Sequence, residues 1–145
     1  MNKSIARDEC NCFALRQAAR YVTQIYERHL ADVGLTAAQF TILSKLSRQP
    51  DRTMVDLSES MVMERTTLVR ALKPLQRDGL IVANASEHDA RAQVFRLSEN
   101  GEKVWDRAVI AWNNAQEEFE AKTGAAKAKS LRAELFKLTA AEQVA

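Results

Sequence analysis

The sequence predicts a mainly helical domain interrupted once by a two-stranded hairpin. Three observations carry this. Only four glycines and two prolines punctuate 145 residues, so long unbroken elements are expected. Apolar residues recur at spacings of three and four through most of the chain, the period of a helix with one buried face. Between residues 80 and 97 the pattern changes to two short runs, LIVA and QVFRL, rich in β-branched and aromatic side chains. Hydrophobic residues make up 46% and charged residues 28%, the balance of a globular chain long enough to bury a core. No apolar run approaches the roughly 20 residues that span a bilayer. The opening MNKSIARDECNC has no apolar signal core, and two cysteines are too few for a disulfide framework, so a cytoplasmic protein is expected.

The first helix is expected from about Asp8 to Asp32, with Leu15, Ala18, Ala19, Val22, Ile25, Tyr26 and Leu30 along one stripe. Gly34 is placed to end it, because glycine adopts the left-handed cap without strain. Thr36-Ala-Ala-Gln39 has capping-box spacing and opens a second helix with Phe40, Leu43 and Leu46 inward, stopped before Pro50. Thr53-Met-Val-Asp56 repeats that logic for a short third helix anchored by Leu57 and Met61. The fourth helix lies within MERTTLVRALKPLQRDGL, residues 63–80. At about 100° per residue, Leu68, Ala71, Leu72 and Leu75 share one arc, and Thr66, Arg70, Lys73 and Arg77 share an arc nearly opposite. Pro74 removes one backbone hydrogen bond and is expected to bend this helix; Gly79 ends it. The hairpin strands are expected at 80–83 and 93–97, joined by a polar, glycine-free NASEHDARA. Ser98 is placed as N-cap of a long helix to about Lys122, striped by Val104, Ala108, Ala111, Trp112, Ala115 and Phe119. Gly124 breaks the chain before a last helix, to about residue 142, that carries Leu131, Leu135 and Leu138.

Helix–turn–helix followed by a hairpin is the layout of a winged helix, here spanning residues 36–97. The segment 98–124 is then a connecting helix. The apolar stripes of the terminal segments 1–34 and 125–145 need another surface to cover them, and a partner chain is the simplest candidate. The net charge is only +2, but residues 64–96 hold six basic and four acidic side chains, so the rest of the chain is balanced. The excess therefore sits where a phosphate-binding surface would be. A major groove about 12 Å wide admits one helix. Arg65, Thr66, Thr67 and Arg70 are the candidates for base edges or adjacent phosphates, and Lys73 and Arg77 for the backbone beyond. Arg91 stands near the hairpin tip two residues after Asp89, whose carboxylate is expected to hold the guanidinium for a narrow minor groove.

The run MVMERTTLVRALKPLQRDGLI, the tip HDAR, the following LSENG and the N-terminal CFALRQAARYVTQIYERHLADVGLTAAQFTIL together resemble the MarR family of winged-helix regulators. The resemblance implies a homodimer bound to a pseudo-palindromic double-stranded DNA operator, most often as a repressor. It also implies release by a small-molecule or oxidant effector. The family's aspartate-x-arginine wing motif is met by Asp89 and Arg91, and its recognition-helix motif by Arg65, Thr66, Thr67 and Arg70. CFALR resembles the branch that senses organic hydroperoxides, which implies a reactive cysteine at Cys12 and a supporting tyrosine at Tyr26. The position of that branch's second tyrosine is Ala37 here. A small aromatic or acidic ligand is the other implied effector, held between the first, second and fifth helices, where Arg16, His29 and Trp112 could take part.

Cys10 and Cys12 point about 200° apart on a helix, so they are not expected to bridge each other. No metal or cofactor is expected: two thiolates need further ligands, and His29 and His88 lie far off in sequence. The scattered glycines make no phosphate loop, and no HExxH or close Ser/His/Asp grouping appears. A thiol peroxidase using Cys12 and a helical adaptor that does not touch DNA are the rival classes.

Overall fold

In the computed structural model, which describes residues 9–144, the chain runs α1 (Asn11–Leu30), a 3-10 turn (Ala31–Val33), α2 (Ala37–Arg48), β1 (Arg52–Thr53), α3 (Met54–Met61) and α4 (Arg65–Arg77). It continues through β2 (Ile81–Ala85), β3 (Gln93–Leu97), α5 (Glu99–Thr123) and α6 (Ala125–Val144). The expected helix order holds. The first helix begins at Asn11 with Cys10 as its N-cap, and its end tightens into the 3-10 turn before Gly34; Asp8 lies outside the described residues.

Local chemistry explains most boundaries. Thr36 Oγ1 accepts the Gln39 N–H at 3.2 Å while Gln39 Oε1 accepts the Thr36 N–H at 3.0 Å. Thr53 and Asp56 do the same at 3.1 Å each, so both capping boxes are formed. Ser98 Oγ accepts the Gly101 N–H at 3.0 Å and opens α5. At the end of α4, Leu80 N–H donates to Leu75 O at 2.9 Å and Gly79 N–H to Gln76 O at 3.1 Å, with Gly79 at φ +71°. That paired arrangement needs a left-handed residue after the helix, which glycine supplies. Helix α4 runs unbroken through Pro74, whose carbonyl accepts the Asp78 N–H at 2.9 Å.

The same ending recurs after α3 without a glycine. Met63 N–H donates to Ser58 O and Val62 N–H to Glu59 O, and Val62 takes φ +49°. A β-branched residue there is strained, and Val62 is exposed, so little packing offsets the cost. Val62→Gly is expected to raise stability by about 1 kcal/mol, read as a higher thermal midpoint; an unchanged or lower midpoint would mean the turn carries no such strain.

The sheet is three-stranded and antiparallel, in the order β1-β3-β2. The two-stranded expectation missed β1, which adds Arg52 opposite Phe95 and Thr53 opposite Val94. Two residues are too few to show a period. β2 runs two residues past the expected Ala83, in register from Ile81 opposite Leu97 to Ala85 opposite Gln93. The core of the helix–turn–helix lobe is Leu43 and Leu46 of α2, Leu57 of α3, Leu68, Leu72 and Leu75 of α4, and Ile81 and Phe95 of the sheet. Each fully buried leucine contributes about 1.5–3 kcal/mol. Phe40 stacks on Trp105 at 5.1 Å between ring centroids and on Trp112 at 6.4 Å, tying α2 to α5. By contrast Leu15 and Tyr21 of α1, Ile110 of α5, and Leu131, Leu135, Phe136 and Leu138 of α6 are exposed.

Candidate nucleic-acid interface

Helix α4 divides sharply. Leu68, Leu72 and Leu75 are at most 1% exposed, which fixes the helix against the core and so fixes where its other side points. Arg65, Thr66, Thr67, Arg70, Lys73 and Arg77 are all exposed. Thr66, Arg70, Lys73 and Arg77 follow one another at spacings of four, three and four, a stripe about 16 Å long at 1.5 Å per residue. Arg77 is engaged by its neighbour, its Nε donating to Asp78 Oδ1 at 3.1 Å. Glu64 precedes the helix without a side-chain cap, so the first-turn N–H groups and the positive end of the helix dipole are left for an outside acceptor.

The wing beside it is braced at its root and shaped at its tip. Arg96 of β3 forks onto Asp51, with Nε donating to Oδ1 at 2.8 Å, and the guanidinium holds the Asp51 carboxyl below its ordinary value. Asp51 N–H also donates to Phe95 O at 2.9 Å. At the tip, Ser86 N–H donates to Ala92 O and Ala92 N–H to Asp89 O. The Asp89 carboxylate accepts the backbone N–H of Arg91 at 3.0 Å. This corrects the expectation that it grips the guanidinium: Asp89 sets the turn, and the Arg91 side chain stays exposed. His88 is exposed on the same loop.

The effector candidates do not converge in one chain. Arg16 is exposed on α1, 13 residues before His29, or about 20 Å along the helix. His29 Nε2 lies 3.1 Å from Glu118 Oε1, and Trp112 packs on Phe40. Cys12 is exposed and Cys10 Sγ accepts the Phe13 N–H at 3.3 Å. Tyr26 donates its hydroxyl to Gln116 Oε1 and stands about 21 Å from Cys12 along the same helix. Among the described residues no group of three or more His, Cys, Asp or Glu side chains is placed to hold a metal ion, and no helix is long and apolar enough to cross a membrane.

Sequence reasoning missed Glu118, which takes both guanidinium nitrogens of Arg28 at 2.7 and 2.9 Å as well as His29. These partners lie 90 residues apart, and no local pattern announces them. Arg28 and then His29 hold the Glu118 carboxyl down from 4.5 to about 2. A carboxyl lowered on folding contributes stability that is present above 4.5 and is lost as pH falls toward 2. The stability difference between the protein and a Glu118→Gln variant is therefore expected to be constant above 4.5 and to shrink as pH falls below it. Denaturant midpoints across that range check it; a difference independent of pH would remove the ion pair as its source.

A basic helix presented beside a braced hairpin on a helix–turn–helix lobe defines a winged-helix DNA-binding protein. Residues 33–92 match the model of the MarR family. The chain is 30% identical over 98 residues to an organic hydroperoxide resistance transcriptional regulator of Bacillus subtilis, covering 68% of this chain and 67% of that one. It is 28% identical to a homoprotocatechuate degradative operon repressor of Escherichia coli, covering 81% and 77%. Among solved structures, the Mycobacterium tuberculosis transcriptional regulator MosR in complex with DNA superposes with a TM-score of 0.81 at 35% identity, over 94% of this chain and 98% of that one. The chain belongs to the MarR family. It is a DNA-binding transcriptional regulator and not an enzyme.

Proposed function

We propose that the chain acts as a homodimeric repressor on a pseudo-palindromic operator and is released by a small aromatic or acidic ligand. The observation that carries the reading is α4, whose leucine face is buried while Arg65, Thr66, Thr67, Arg70, Lys73 and Arg77 all face outward. In it the first four of these meet base edges or adjacent phosphates, Lys73 and Arg77 follow the backbone, and Arg91 on the Asp89-shaped tip enters the neighbouring minor groove. The exposed apolar residues of α1 and α6 support segments 1–34 and 125–145 as the dimer surface, since a face of that kind marks a contact. Residues 36–97 are then the DNA-reading core and 98–124 the connection. Two α4 helices about 34 Å apart read successive half-sites, so a ligand near the interface that changes this spacing weakens both contacts at once. Names among the relatives support repression by a member of this family.

A second reading, release by an oxidant at Cys12, is favoured by one arrangement: Cys12 is exposed in the first turn of α1, next to a cap made by the Cys10 sulfur. Tyr26 is too distant to assist Cys12 within one chain, so that pair requires a second copy. Selection of bound duplex from a random pool, repeated with aromatic acids and after hydroperoxide treatment, separates the two. Loss of binding only with the acids supports the ligand; loss only on oxidation, abolished by Cys12→Ser, supports the thiol. Absence of any salt-sensitive, sequence-preferring binding would overturn both.

A further inference from the structure

Among the described residues, no carboxylate forms an ion pair with any of three cations at the edge of the wing sheet. Lys45 and Arg48 occupy the last turn of α2, and Arg52 opens β1, the strand outside β3. Arg52 Nη1 donates to Gln49 Oε1, which sits one residue after Arg48, while its Nε is buried and meets no acceptor. An unmet buried donor is unfavourable. Lys45 and Arg48 share the last turn of α2 and Arg52 is tied to the residue after it; in keeping with this, burial and then the charges of Arg52 and Arg48 hold the Lys45 ammonium below its ordinary value. Asp56 feels Arg52, yet its carboxylate accepts the Thr53 N–H. Elsewhere the chain pairs such groups: Arg28 with Glu118, Arg96 with Asp51, Lys103 with Glu99.

Gathering like charges without a counter-ion opposes folding, and an arriving anion reverses the sign. The position indicates which anion. Arg52 lies opposite Phe95 of β3 and borders an open hollow that Asp56, Glu59 and Glu64, the residue before α4, also line. Arg52 thus adjoins both the root of the wing and the start of the basic helix, and Lys45 and Arg48 lie on its α2 side, away from those carboxylates' hollow.

We propose that Lys45, Arg48 and Arg52 form an anion site that takes a backbone phosphate of duplex DNA, outside the stretch met by α4 and the wing tip. This rests on the DNA-binding reading above. A phosphate offers several oxygens, enough to accept from a guanidinium and an ammonium together, and its neutralisation releases condensed counter-ions.

The test compares the full chain with its Lys45→Gln/Arg48→Gln variant on duplex that the unaltered protein selects from a random pool, in long form and trimmed to the selected bases. On long duplex the variant is expected to bind more weakly whatever the sequence, with a plot of log affinity against log salt shallower by about 1. On trimmed duplex the difference vanishes. The free variant melts at or above the unaltered protein, because repulsion has been removed. Equal affinity and slope on long duplex overturn the proposal. So does a lower melting point, which makes the cations structural, and so does an equal loss on both duplexes. Inorganic phosphate that raises the melting point of the unaltered protein alone, with DNA binding equal in the two, assigns a free anion and overturns the duplex. If the unaltered protein selects no duplex, the DNA-binding reading itself fails, which is read without the variant.

Discussion

Gly101→Ala is expected to lower stability by on the order of 3 kcal/mol, with the wing loosened from the long helix that carries it. Gly101 sits in the first turn of α5 with helical backbone, so φ is not the issue. An added Cβ would overlap the Leu80 carbonyl oxygen and stand 2.9 Å from its carbonyl carbon. Backbone cannot swing aside as the end of a side chain can. The same carbonyl accepts the Ser98 N–H at 3.0 Å, and Ser98 Oγ bonds Gly79 O, so any retreat by Leu80 also strains the α5 cap and the end of α4. Gly124→Ala is the control. Gly124 has φ +93° but nothing within 4 Å of a Cβ, and its cost should stop at about 1 kcal/mol of backbone strain. Denaturant unfolding of the two variants checks the contrast. Equal, small losses would mean that α5 is not seated on Leu80.

How much of this was open to inspection in the sequence depends on range. Capping boxes at Thr36 and Thr53, the Ser98 cap and the glycine after α4 each act within six residues, and all are formed where their spacing places them. The division of α4 is likewise local: Leu68, Leu72 and Leu75 lie on one side because 3.6 residues make a turn. What stayed hidden acts across distance. β1 is two residues paired with a strand some 40 positions on, and the Arg28–Glu118 and Arg96–Asp51 pairs join segments 90 and 45 residues apart. The Asp89–Arg91 relation was visible as a spacing, but a spacing of two serves a side-chain grip and a backbone turn equally well, and the backbone N–H lay nearer. Val62 was hidden for the opposite reason: its type argues against the left-handed backbone that the tight turn into α4 imposes.

Arg70 and Arg91 should fail in different ways when each is replaced by alanine. Arg70 projects from the second turn of α4, two residues from each of buried Leu68 and Leu72 and so on the opposite side of the helix, and a guanidinium held at a fixed height in a major groove matches guanine bidentately. Arg70→Ala is therefore expected to lose about 1–3 kcal/mol of discrimination between the selected duplex and one altered at a single base pair, while affinity for unrelated duplex changes little. Arg91 sits on a tip whose backbone Asp89 organises, and what it meets in a minor groove is potential more than base identity. Arg91→Ala should weaken binding to every duplex alike and make the salt dependence shallower by about 1. Anisotropy titrations of both variants on selected, altered and unrelated duplexes decide the matter. A uniform loss for Arg70 would move it from base to phosphate, and an unchanged Arg91 would remove the wing from the contact. The two outcomes are independent, because α4 is fixed by its leucines and the wing by Asp51 and Arg96, so damage to one surface does not carry over to the other.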